Sequence, residues 1–312
     1  MAYKHSKFTG YNSIVEIIQE NGSKYVLKTI RIPMELSVVQ DLEQRILLQR
    51  SALESMGISI PELIKTETIH KEDDYNLLIK EKFEGVDFVD VVDENNFEFY
   101  IDKVLDDIYK PLLKSTKEKY LKAGIDPIAR NFVYKTHVNH FCYVDFIPPK
   151  VFYKGHYSQE IPEIEGPFYD IRMLCHNERA GLIYVQYVNF IRVFPQKRKF
   201  IQGKIEQFLE NIEESELKEY IINSPLYRIE NPRDAAKIVK EMDDWRGINY
   251  YYLREAICIA SELNSKFRKK QSEMFKLTTH ERDPDSPEYG LLPQERFLDV
   301  KQKVIKAFED VK

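Results

Sequence analysis

Three side chains that can present oxygen to a cation or a hydroxyl stand in one short stretch of this 312-residue chain. In AGIDPIARNFVYKTHVNHFCYVDF, residues 123–146, Asp126 precedes Asn131 by five positions, and Asp145 comes last. Residues 132–135 and 141–146 read as short strands turning across residues 136–139, so Asp126 and Asn131 fall in the loop before a hairpin and Asp145 at its end. The chemistry that this order suits is phosphoryl transfer from ATP. Mg²⁺ is a hard cation that takes one or two carboxylates together with phosphate oxygens, and a further carboxylate must orient the attacking hydroxyl.

Such groups need elements to hold them. Residues 13–18 (SIVEII) and 24–30 (KYVLKTI) are β-branched runs joined through Gln19-Glu20-Asn21-Gly22, and an Asn-Gly pair in that place predicts a hairpin. Residues 38–53 carry Val39, Leu42, Ile46 and Leu53 on one helical face, with Glu43, Arg45 and Arg50 read as lying off it. Residues 60–68 and 75–83 read as two more strands, and Glu84-Gly85 ends the pattern. The rest is mostly helical in pattern: residues 97–121 with an interruption at Pro111, then 200–211, 232–242, 250–270 and 293–310. The expected fold class is α+β. Residues 1–83 would form an antiparallel sheet lobe with one helix, and residues 84–312 a larger, mainly helical lobe carrying the hairpin.

With these features in order, the chain resembles the protein-kinase-like superfamily, and within it the small-molecule branch of aminoglycoside phosphotransferases and choline kinases. The resemblance covers residues 9–146. Asp126-Pro127-Ile128-Ala129-Arg130-Asn131 is similar to the catalytic loop, which implies Asp126 as the residue that orients the hydroxyl and Asn131 as a metal ligand. Asp145-Phe146 is similar to the start of the DFG motif, which implies Asp145 as the main Mg²⁺ ligand. Lys28 stands where the family's third strand carries the lysine for the α- and β-phosphates. Glu43 on the following helix is its expected ion-pair partner, with Glu35 as the rival. Thr9-Gly10-Tyr11-Asn12-Ser13 resembles a reduced phosphate-covering loop in which backbone N–H groups of Asn12 and Ser13 meet phosphate. Glu81-Lys82-Phe83 lies where the inter-lobe hinge offers backbone groups to adenine. Arg130 is expected to offset charge on the transferred phosphoryl group. The sequence departs from the family at two places: Gly124 stands where His is usual, and Ile147 replaces the DFG glycine.

The function expected from this resemblance is ATP- and Mg²⁺-dependent phosphorylation of a small-molecule hydroxyl. Ile161-Pro162-Glu163 follows Asp145 early, so the intervening segment is short for the regulated activation segment of a protein kinase. A pseudokinase-type nucleotide-binding or interaction module, motivated by Gly124 and Ile147, and a protein kinase stay open as alternatives. Each residue alone has an ordinary reading. Asp126 beside Pro127 suits a turn, Lys28 an exposed strand, Glu43 a solvated helix face and Asn131 a side-chain-to-backbone bond; the weight rests on their order.

Composition narrows the classes. Lys+Arg 46 against Asp+Glu 51 gives a formal charge of −5, which supplies no bulk positive field for nucleic acid or a membrane surface. The three cysteines, Cys142, Cys175 and Cys258, have no CxxC spacing, so neither a disulfide scaffold nor a zinc knuckle is expected, and Cys142 and Cys258 read as core. The start, MAYKHSKFTG, has no apolar leader segment, and residues 182–194 are apolar but too short to cross a bilayer. A cytoplasmic protein is expected. His137 and His140 read as hairpin residues, and Tyr250-Tyr251-Tyr252 as a helix start that either packs in the core or lines a substrate cleft.

Overall fold

The Asn21-Gly22 pair turns the chain with positive φ at both residues, 50° and 82°, the backbone that a two-residue hairpin between right-twisted strands requires. In the computed structural model, residues 6–9, 13–30, 34–71, 74–146, 152–153, 156–157, 173–243, 248–278 and 294–311 are described. The fold is α+β: an N-terminal antiparallel sheet followed by a mostly helical remainder. The sheet has five strands in the order β1-β2-β3-β5-β4, with β1 Ser6–Thr9, β2 Ser13–Glu20, β3 Ser23–Ile30, β4 Leu63–Lys71 and β5 Asp74–Lys82. β1 is a strand that the sequence pattern did not disclose. The helix after β3, α1, runs Leu36–Ser55 and buries Val39, Leu42, Ile46 and Leu53. Arg50 is buried on it too, although the sequence pattern set it off the apolar face.

Beyond β5 come β6 (Val86–Asp87), α2 (Phe88–Val91) and α3 (Phe97–Val104). The helix expected over residues 97–121 changes character early. A π-helical turn, Leu105–Tyr109, joins α3 to α4 (Lys110–Lys114), and the helix stops there. Pro111 has no N–H to give the carbonyl four residues back, and the widened turn just before it absorbs that missing donor without breaking the rod. β7 (Phe132–Lys135) and β8 (His140–Tyr143) form the expected hairpin, and β6 pairs with β7 to make a second, three-stranded sheet. Gly85 permits this pairing. A Cβ there would lie 2.1 Å from the Tyr134 carbonyl oxygen, so Gly85→Ala is expected to cost about 1–3 kcal/mol by overpacking. An unchanged urea midpoint in that variant would count against the close approach.

The short strands β9 (Phe152–Tyr153) and β10 (His156–Tyr157) pair with each other. The helices that follow are α5 (Arg179–Val193), α6 (Arg198–Asn211), α7 (Ser215–Ile222), α8 (Pro232–Lys240), α9 (Asn249–Leu263), α10 (Ser265–Arg268), α11 (Gln271–Leu277) and α12 (Gln294–Glu309). The helix expected over residues 250–270 is broken at Asn264, whose side chain accepts from the N–H groups of Lys266 and Phe267 and so restarts the chain as α10. The apolar stretch 182–194 lies almost wholly within α5, and its residues 182–191 are all buried. Among the described residues no helix is long and apolar enough to cross a membrane. The chain divides into two compact units. The first comprises Met1–Lys117, Leu121–Asp126 and Arg130–Pro162, so it takes in the β7–β8 hairpin that the division at residue 83 assigned to the helical lobe. The second comprises Glu118–Tyr120, Pro127–Ala129 and Glu163–Lys312.

Glu255, on α9 in the second unit, is wholly buried and accepts a hydrogen bond from Tyr184. Burial pushes its carboxyl up to about 7, against the lowering effect of hydrogen bonds from Tyr184 and Tyr187 and of the Arg198 charge. Because the folded chain then holds this proton more tightly than the unfolded one, the group's contribution is complete below about 4.5 and is lost as pH rises through about 7. The full loss is about 3 kcal/mol. Chemical denaturation of the wild type and Glu255→Gln should therefore show the wild type losing stability relative to the variant between about pH 5 and about pH 8. A pH-independent difference would contradict the assignment.

Candidate functional site

Four of the residues singled out in the sequence, Lys28, Asp126, Asn131 and Asp145, are gathered in the first compact unit. The β7–β8 hairpin sets the spacing. Asn131 ends a 3₁₀ turn just before β7, Asp145 follows β8, and the Val144 N–H donates to the Asn131 carbonyl at 3.0 Å. Asn131 Nδ2 then lies 3.3 Å from the Asp126 carbonyl oxygen and 3.4 Å from Asp145 Oδ2. One amide side chain therefore reaches toward both aspartates. The floor beneath is aromatic. The Tyr143 hydroxyl accepts from the Asp126 N–H at 2.8 Å, and Tyr143 and Tyr109 are both buried. Burial raises both phenols well above their ordinary range, and the nearby Asp126 carboxylate adds to the rise for each, with Asp145 adding more for Tyr143. These phenols stay neutral and hold the loop without competing for its charge.

Lys28 lies on β3 and is 8% exposed. Its ammonium donates to the Val144 carbonyl, one residue before Asp145, and stands 5.6 Å from the centre of the Phe146 ring. Its carboxylate partner is Glu81 on β5, at 2.5 Å, and not Glu43. Glu43 accepts instead from the Thr66 hydroxyl, and Glu35 precedes α1 as its N-cap. Glu81 also takes Arg50 at 2.5 Å, while Arg50 donates to the Pro61 carbonyl and stacks 4.7 Å from the Phe146 ring. The helix thus brings a cation where an acid was expected, and the strand supplies the acid. Two buried cations share one carboxylate, which leaves a net positive charge beside residues 144–146.

The remaining sites fall as follows. Gly10, Asn12 and Ile147 lie outside the described residues, as do residues 161–163. Ser13 opens β2, opposite Ile30. The Phe83 N–H is given to the Lys24 carbonyl at 3.1 Å, because the chain is still leaving the sheet there, so that N–H is not among the backbone groups open to adenine. Glu81 acts here through its side chain, within the sheet. Arg130 turns to Asp87 at 2.7 Å and Asp90 at 3.4 Å. His140 Nδ1 lies 3.0 Å from Asp107, and His137 is in the hairpin turn. Cys142 and Cys258 are buried thiols whose pKa burial raises, to about 12 for Cys142, as suits core residues.

Three residues of the site were missed: Arg50, Tyr143 and Gln49. Gln49 is buried, and its amide donates to the carbonyl of Gly124, the residue that stands in the usual histidine's place. A signal for the helix pair existed, since Gln49 and Arg50 follow Ile46 by three and four positions and so continue the buried stripe. One carboxylate, Asp145, and one amide, Asn131, lie side by side, and a hard cation held there would take its other ligands from water and phosphate. Among the described residues no group of three or more His, Cys, Asp or Glu could hold a metal ion. Comparison with protein-family models and with curated proteins finds no match for this chain.

Proposed function

We propose that this chain is a phosphotransferase of the protein-kinase-like type, which uses ATP and Mg²⁺ to phosphorylate a hydroxyl of a small molecule. The observation that carries this reading is the position of Asn131, within 3.4 Å of Asp145 Oδ2 and 3.3 Å of the Asp126 carbonyl, with Lys28 tied to the carbonyl next to Asp145. Polar groups from β3, the loop after α4 and the end of the β7–β8 hairpin thereby converge, which ordinary packing does not require. Asp145 and Asn131 would hold Mg²⁺, which would neutralise charge on the phosphate oxygens. Lys28, on the net positive side of its pair with Glu81, would meet the α- and β-phosphates as a point charge. Asp126 would accept a hydrogen bond from the acceptor hydroxyl and align it. Arg130 would offset phosphoryl charge after exchanging partners, at small cost, since an exposed ion pair is worth only ~0–1 kcal/mol.

The engagement of Arg130 with Asp87 and Asp90 favours a second reading, a nucleotide-binding module without transfer. The two separate in one experiment. Thermal stabilisation by ATP that depends on Mg²⁺ is expected under both, and transfer of labelled γ-phosphate to small hydroxyl compounds only under the first. Absence of any Mg²⁺-dependent nucleotide effect would defeat both readings.

A further inference from the structure

Four arginines among the described residues are buried, and three of them face a carboxylate: Arg50 with Glu81, Arg179 with Glu214 and Arg198 with Glu262. Arg254, on α9 in the second unit, faces none among the described residues. At 8% exposure it is more than nine-tenths buried, and among the described residues its one hydrogen bond runs from Nη1 to the Tyr250 hydroxyl at 2.6 Å. That phenol is itself donating to the Thr278 carbonyl at 2.9 Å, so it answers the guanidinium with a lone pair and no charge. The Nε–H is buried without an acceptor. Aromatic faces take the rest: the guanidinium carbon is 5.2 Å from the Tyr250 ring centre and 5.0 Å from that of Phe275 on α11. A second guanidinium, that of Arg192 at the end of α5, stacks 4.5 Å from the same Phe275 ring.

The buried Arg254 guanidinium, with a donor unanswered, is half of an ionic contact. A buried charge is stable when it is paired, and a guanidinium edge matches the two oxygens of a carboxylate or phosphate. We propose that Arg254 is the core of an oxyanion-binding site in the helical unit, taking a carboxylate or phosphate group of a small molecule on its Nε edge. This site is separate in its residues from the one built on Lys28, Asp126, Asn131 and Asp145.

The test is calorimetric titration of the full chain with inorganic phosphate and, in a second arm, acetate, each at ionic strength held constant with chloride. Saturable one-site binding is expected for one of the two anions, and which one identifies the group. Arg254→Lys keeps the charge but not the fork and should weaken binding about tenfold or more. Lys28→Met should leave it unchanged, which separates this site from the phosphate contacts proposed above. No saturable binding of either anion overturns the proposal, as does binding that Arg254→Lys leaves intact or that Lys28→Met abolishes. Should Arg254→Lys fail to fold, the wild type decides: the bound anion must shift an arginine Nε–H resonance strongly, and a titration in which none moves overturns the assignment.

Discussion

Replacing Asp126 by alanine is expected to lower turnover by about 10²–10⁴-fold while leaving the affinity for Mg²⁺ and ATP almost unchanged. Asp145→Ala is expected to do the reverse first, removing the Mg²⁺-dependent part of nucleotide binding and with it the activity. The asymmetry follows from position. Asp145 Oδ2 and Asn131 are neighbours at 3.4 Å, one residue beyond the carbonyl that Lys28 holds, so in the proposed function Asp145 would stand at the metal and phosphate end. Asp126 meets that group through its backbone, with its N–H on Tyr143 and its carbonyl near Asn131, so alanine keeps those bonds and removes only the carboxylate. Calorimetry with ATP, with and without Mg²⁺, and single-turnover rates separate the two effects. Equal losses of binding in both variants would sink the division of roles.

The largest effect on stability is expected at Glu81. It is 1% exposed and is the carboxylate for both Lys28 and Arg50. Glu81→Leu would leave two buried cations with nothing between them, and breaking a buried pair in this way costs about 3–5 kcal/mol. For a chain of this size that corresponds to a fall in Tm of roughly 5–8 °C. Arg50→Met should cost far less, because Lys28 and Glu81 then form a balanced pair and the methionine still packs against Phe146. Thermal and urea unfolding of the two variants side by side provides the check. If Arg50→Met proved as damaging as Glu81→Leu, the shared-carboxylate account would fail.

The order of residues and the turn chemistry made much of this legible in advance. Asn21-Gly22 announced its hairpin because few pairs tolerate two positive φ values in succession. The approach of Asn131 to Asp126 and Asp145 followed from a short loop and a tight hairpin, which leave the chain little choice. The partner of Lys28 was not legible. Ion pairs across a sheet depend on which strands become neighbours, and β3 lies beside β5 and not β4. The residues did carry a hint. Leu77, Ile79 and Glu81 alternate along β5 and so share a face, and an acid that continues two buried apolar positions is an inward acid seeking a cation. The π-helical turn at residues 105–109 left no such mark, because its spacing departs from the period by which helices are read.

Gln49 and Arg50 are adjacent on one turn of α1, yet their side chains go to different parts of the first unit: one to the Gly124 carbonyl, two residues before Asp126, the other to Glu81 and through it to Lys28. A single helical turn therefore splints the loop that would align the acceptor and the lysine that would grip the donor. Amide exchange at residues 123–126 should consequently slow when a nucleotide occupies the Lys28 end, even though no atom of it need touch that loop. The two ends of the site would tighten or loosen as one cooperative body, with the helix as the linkage between them.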